Sequence, residues 1–154
     1  MTVEIRATLL ADKIIQNLPK GPRNAHDQFE ADLARRGCAA LAYRLSGELL
    51  DHLCVVHLTG SMRVMVAFES AAVAYVVLIG KHDRKQPPLD VYQQLYALAG
   101  HEPSDDAGRD KPPCCDAATG QPPIEPALLD DLLARMRRFR ASDLRTAPGR
   151  RRTA

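Results

Sequence analysis

The segment VVLIGKHDRKQPPLDVYQQLY, residues 76–96, runs aliphatic residues into Gly80 and then into Lys81, His82, Asp83, Arg84 and Lys85. Two prolines and a pair of tyrosines follow. Cations at that density can hold an anion. Histidine is the side chain whose ordinary titration lies nearest neutral pH, which suits general acid or base chemistry. Upstream, Arg63 opens the run MRVMVAFE and His57 closes the run LCVVHL. Each residue also has a plainer reading. Arg63 at a hairpin edge can be a solvated arginine, and His82 and His57 can be surface histidines. The Lys81–Lys85 cluster can simply blunt the end of a sheet. Tyr92 and Tyr96 stand four apart on one helical face, so one of them packs in a core.

Chemistry needs elements that hold it. TVEIRA, residues 2–7, alternates and reads as a first strand. LLADKIIQNL places Leu10, Ile14 and Leu18 on one helical face. A second helix is expected from an N-cap at Asn24 to Arg36, with Phe29 and Leu33 inward and Gly37 as its stop. LCVVHL, MRVMVAFE and VAYVVLI then form three strands with connections short enough to be hairpins, so they are antiparallel. Burial selects the register. A one-residue slip would bury Arg63 among aliphatic side chains, so His57 is expected directly across from Arg63. Asp90 is a natural N-cap for DVYQQLYALAG, which ends at Gly100. Residues 101–123 read as a Pro/Gly-rich linker. Residues 124–141 read as an amphipathic helix with a Leu129, Leu132, Leu133, Met136 and Phe139 stripe, and residues 142–154 as a basic tail.

The chain of 154 residues is long enough for a core, and its apolar fraction of 45% fits a folded protein. No apolar run reaches the length of a membrane span. The N-terminal residues lack the apolar stretch and cleavage site of a signal peptide, so a cytoplasmic location with no membrane partner is expected. The net charge of +2 is uneven. Residues 135–154 hold eight arginines and one aspartate, whereas residues 1–100 hold eleven Lys/Arg against ten Asp/Glu. Whole-chain charge therefore makes no case for nucleic acid, and only local clusters can. Cys38, Cys54, Cys114 and Cys115 lack zinc-ligand spacing, and the expectation is reduced thiols with no metal and no cofactor.

The order of strand, two helices, three antiparallel strands, cationic loop and short helix resembles the RelE/ParE superfamily of toxins from bacterial toxin–antitoxin pairs. The resemblance rests on Leu45-Ser46-Gly47 leading into the sheet, Arg63 just past the hairpin turn, Gly80-Lys81-His82-Asp83-Arg84, and Tyr92, within residues 1–100. It implies an α+β, microbial-RNase-like fold, with two N-terminal helices on a small antiparallel sheet and a C-terminal helical extension. It also implies a ribosome-dependent endoribonuclease that cleaves messenger RNA by attack of the 2′-hydroxyl, without a metal, and that a cognate antitoxin silences. Such cleavage needs a proton acceptor, a donor for the leaving 5′-oxygen, and cations for the extra charge of the transition state. By this resemblance Arg63 clamps the phosphate, and Lys81 and Arg84 add charge. Tyr92 stacks or shares in proton transfer, His82 serves as acid or base, and His57 supports as base. Two alternatives share the fold: a ParE-like inhibitor of DNA gyrase, and a non-catalytic member acting only through protein binding.

Overall fold

The computed structural model describes residues 2–45, 50–100 and 111–138. Its centre is a meander of β3 (Leu53–His57), β4 (Met62–Ser70) and β5 (Val73–Lys81), joined by tight turns as the short connections require. The register is the one that burial demands. His57 pairs with Arg63, and Leu58 N donates to Met62 O at 2.9 Å. One face carries Cys54, Val64, Val66 and Phe68, and the other carries Leu53, Val55, Met65 and Ala67. Both faces are apolar because both are covered.

Two strands complete the sheet in the order β1-β5-β4-β3-β2. β2 (Tyr43–Arg44) adds antiparallel to β3, and β1 (Glu4–Ala7) adds parallel to β5. The sheet is thus mixed, which corrects the expected all-antiparallel sheet. The first strand leaves through two helices and finds its partner about seventy residues later, a pairing that no local pattern encodes.

Helix α1 (Leu9–Gln16) begins where Thr8 caps it. Thr8 Oγ1 accepts from Ala11 N at 3.0 Å and donates to Val77 O at 2.8 Å, so the cap also fastens the helix to β5. Helix α2 (Lys20–Arg36) starts four residues before the expected Asn24 cap, with Pro19 at its N-cap. Pro22 falls in the first turn, where a missing N–H costs nothing, so it does not delay the helix. Phe29 and Leu33 are buried as expected, and Gly37 stops the helix with φ +62°. Together α1 and α2 cover the Val64–Val66 face through Ala11, Ile15, Phe29 and Leu33.

The opposite face is covered by α3 (Val91–Ala99) and α4 (Pro126–Met136). Leu129, Leu132 and Met136 are buried there and Leu133 is partly so, as the stripe predicts. Gly80 explains itself here. A Cβ on it would lie 3.2 Å from Val91 Cβ, so the close approach of β5 and α3 depends on glycine. No described helix is long and apolar enough to cross a membrane.

Residues 111–123 have no helix but are far from a loose tether. Arg44 N donates to Pro112 O at 2.8 Å, Asp116 organises a turn that closes at Gly120, and Ile124 bridges Phe68. Cys38 is bonded to Cys115, and Cys54 to Cys114. The expectation of four reduced thiols is therefore corrected to two disulfides. Partners 77 and 60 residues apart leave no spacing signal in the chain. Ser46 and Gly47 of the lead-in, Phe139 and the basic tail lie outside the described residues.

Candidate active site

The α3/α4 face also carries the polar residues. Directly paired residues in an antiparallel ladder project to the same side. Arg63 therefore stands beside His57 on β3 and Gly80 on β5, and Tyr43, paired with Val55, joins them from β2. Lys81 pairs with Met62, whose side chain enters the other core. The ladder thus sends Lys81 to the far face, apart from Arg63.

The loop after β5 turns back towards Arg63, because His82 N donates to Ser61 O at 2.8 Å. This bond ties the residue after β5 to the β3–β4 turn, and the His82 ring lies against α3. The ring packs edge-on to Tyr92 with centroids 4.8 Å apart. Tyr92 and Tyr43 share a hydrogen bond of 2.9 Å between their hydroxyls, and the Tyr43 ring meets His57 edge-on at 6.2 Å. Burial pushes the Tyr92 phenol well above its ordinary value, helped by the Tyr43 hydrogen bond. The Arg63 guanidinium beside it works in the opposite direction. Tyr92 is therefore a neutral hydroxyl at any physiological pH, suited to donating and positioning rather than to acting as a phenolate.

Asp90 holds the loop to the helix. One carboxylate oxygen accepts from Tyr92 N and Gln93 N at 3.1 and 3.2 Å, which is the expected N-cap. The other accepts from Asp83 N at 2.7 Å and lies 2.6 Å from His82 Nδ1. With a carboxylate as acceptor, Nδ1 carries the ring proton and Nε2 faces outward with its lone pair. Arg84 Nε donates loosely to that Nε2 at 3.4 Å. One buried carboxylate thus caps α3 and sets the tautomer of His82.

Arg63 is half-buried. Its Nη1 donates to the carbonyls of Gly60 and Met62 at 3.2 and 3.3 Å, which fixes the plane of the guanidinium. Its Nε is buried with no hydrogen-bond partner in the protein. A buried donor left unpaired is costly unless something else meets it, and an anionic oxygen would do so. His57, on the exposed side of Arg63, has its pKa lowered below 6.5, first by desolvation and then by Arg63, Lys111 and His82. It is a neutral imidazole at pH 7.

No family model matches the chain, and no curated protein matches it. Solved structures do. One is the RelBE2 toxin–antitoxin complex of Mycobacterium tuberculosis, 18% identical, with 53% of this chain and 99% of that chain covered at a TM-score of 0.46. Another is the archaeal RelE–RelB complex of Pyrococcus horikoshii OT3, 20% identical, with 55% and 99% covered at a TM-score of 0.43. These structural neighbours are toxin–antitoxin complexes.

Of the residues singled out in the sequence, Arg63, His57, His82, Arg84 and Tyr92 gather on one face, and Lys81 does not join them. Sequence reasoning missed Tyr43, Lys111 and the second role of Asp90. For Tyr43 the only available signal was a lone aromatic before the meander. For Asp90 it was the spacing of eight from His82, which becomes meaningful only when a loop folds back on a helix start.

Proposed function

We propose that the protein is a RelE-type endoribonuclease, the toxin half of a toxin–antitoxin pair, and that it cleaves messenger RNA on the ribosome. The observation that carries this reading is the convergence of Arg63, with its unpaired buried Nε, and two histidines of different environment on one face. Arg63 receives the scissile phosphate, and Arg84 adds positive charge at the edge. His57, held neutral, accepts the 2′-hydroxyl proton. His82, oriented by Asp90, delivers a proton to the leaving 5′-oxygen from its doubly protonated ring, the form in which Nε2 also carries a proton and the Arg84 contact is released. Tyr92 positions the substrate through its neutral hydroxyl or by stacking on a base. These side chains supply base, acid and charge from the protein itself. Lys81, on the far face, contributes only to the local field. The partner is a protein antitoxin that covers this face.

The test is a translation extract given purified protein. Messenger fragments in register with codons are expected. Intact messenger together with inhibited DNA supercoiling would overturn the nuclease reading in favour of a gyrase poison.

His57 also sets a pH profile. The base form of His57 dominates above its lowered pKa, so cleavage is lost as pH falls through a midpoint under 6.5. His57→Gln is expected to flatten that acid limb, as measured by single-turnover cleavage rates between pH 5 and 8. An acid limb that survives in His57→Gln unchanged assigns the base elsewhere.

A further inference from the structure

Lys111 reaches the same face from outside the sheet, and no part of the catalytic scheme uses it. Its ammonium lies 5.0 Å from the centre of the Tyr43 ring, and Tyr43 is bonded to Tyr92. It is exposed, so the ring does not consume its charge. Two ties just C-terminal to Lys111 fix its position. Pro112 is bonded to β2 through Arg44 N, and three residues after Lys111 the chain is tied to β3 by the Cys54–Cys114 disulfide. Three residues span at most about 10 Å, so the tie holds Lys111 at the β2 edge as a short leash. Across the sheet the order becomes Arg84 beyond β5, Arg63 on β4, His57 on β3, Tyr43 on β2, and Lys111 outside β2. β3 and β2 separate Arg63 from Lys111 by roughly 14 Å at the backbone. That is more than one step along a nucleic-acid strand. Lys111 and Arg63 therefore address different phosphates.

We propose that Lys111, held by the disulfide-tied strap, forms a second phosphate subsite that grips the same RNA strand beyond the scissile group. The inference rests on the nuclease reading of this face, and it extends the site onto the segment after Gly100. The strap supplies a cation to this face at the β2 edge, where Arg44 of β2 is paired with Cys54 and so belongs to the opposite face. It also supplies His57 with a second positive neighbour, which helps keep that imidazole neutral.

The experiment measures affinity of the intact, oxidised protein for a single-stranded RNA oligonucleotide carrying 2′-deoxyriboses, which binds but cannot be cleaved. Affinity is followed against salt concentration. Neutralising one phosphate contributes about 0.7 to the slope of log K against log salt on a single strand. Lys111→Gln is expected to lower the slope by about that much and to weaken binding roughly fivefold at 0.1 M salt relative to 1 M. Lys111→Arg is expected to keep the slope. Unchanged slope and affinity in Lys111→Gln overturn the subsite even if the messenger is cleaved normally. A slope change without any cleavage by the wild type keeps the subsite and removes the nuclease reading. Absence of oligonucleotide binding by the wild type removes the subsite and leaves the nuclease reading to the translation extract.

Discussion

Arg63→Gln is expected to lower messenger cleavage about 100-fold while leaving the fold intact, in line with the loss of one transition-state contact. The magnitude follows from where the charge is needed. Attack by the 2′-hydroxyl builds additional negative charge on the phosphate, so a fixed cation is worth more in the transition state than in the ground state. Arg63 meets that requirement because Gly60 O and Met62 O fix its plane, and because its buried Nε is a donor with nothing to give to. Lysine cannot reproduce the flat, forked geometry, so Arg63→Lys is expected to recover only part of the loss. The measurement is the single-turnover rate on ribosome-bound messenger, beside a thermal melt. The two carbonyl bonds belong to an exposed turn, and losing them is expected to shift the melting midpoint by only a few degrees. A full rate in Arg63→Gln would leave the site without its phosphate clamp. A rate loss that tracks a large loss of stability would reduce Arg63 to a turn brace.

How far the sequence could foresee this site depends on which forces decide each part. The β3–β4 register was legible because one alternative buries Arg63 among valines and methionines, which is a large penalty in a local pattern. The Asp90 cap and the Gly37 and Gly100 stops were legible for the same reason, since helix ends leave unpaired groups that only a few residue types satisfy. The parallel pairing of β1 with β5 was not legible, because it is settled by how two helices pack rather than by either strand. Lys81 entered through the resemblance of the Gly80–Arg84 loop, and only the ladder position, opposite Met62, separates it from Arg63. The start of α2 was not legible from Asn24, the best capping residue nearby, because Pro22 in the first turn is neutral and lets the helix begin at Lys20. The disulfides were missed for a different reason. Their partners meet only after the segment beyond Gly100 returns to the sheet, and the expected cytoplasmic setting argues for reduced thiols.

That return also carries the largest expected effect on stability. Reducing both disulfides is expected to cost about 7 kcal/mol in the chain-entropy account. The Cys54–Cys114 bond joins residues 60 apart and is worth about 4 kcal/mol by that account. With that loop closed, the Cys38–Cys115 bond confines little more than the stretch between Cys38 and Cys54, so it adds only about 3 kcal/mol despite its separation of 77. The pair together is comparable to the whole stability of an ordinary domain, about 5–15 kcal/mol. Urea unfolding with and without a dithiol measures the total, and Cys38→Ala with Cys115→Ala measures the smaller share. A difference below about 1 kcal/mol on full reduction would mean that the strap is held by packing and not by its sulfur bonds. The outcome bears on function because the strap ends in α4, whose Leu129, Leu132 and Met136 fill the core behind the candidate site. Disulfides are rare in a reducing cytosol. The expected cytoplasmic setting and the two sulfur bonds therefore act against each other. If the chain works in such a setting, thiol state sets how much of it stands folded with Arg63, His57 and Tyr92 in register. A loss of cleavage on reduction that parallels the loss of folded protein would tie activity to that fraction, whereas full cleavage by the fully reduced chain would separate them.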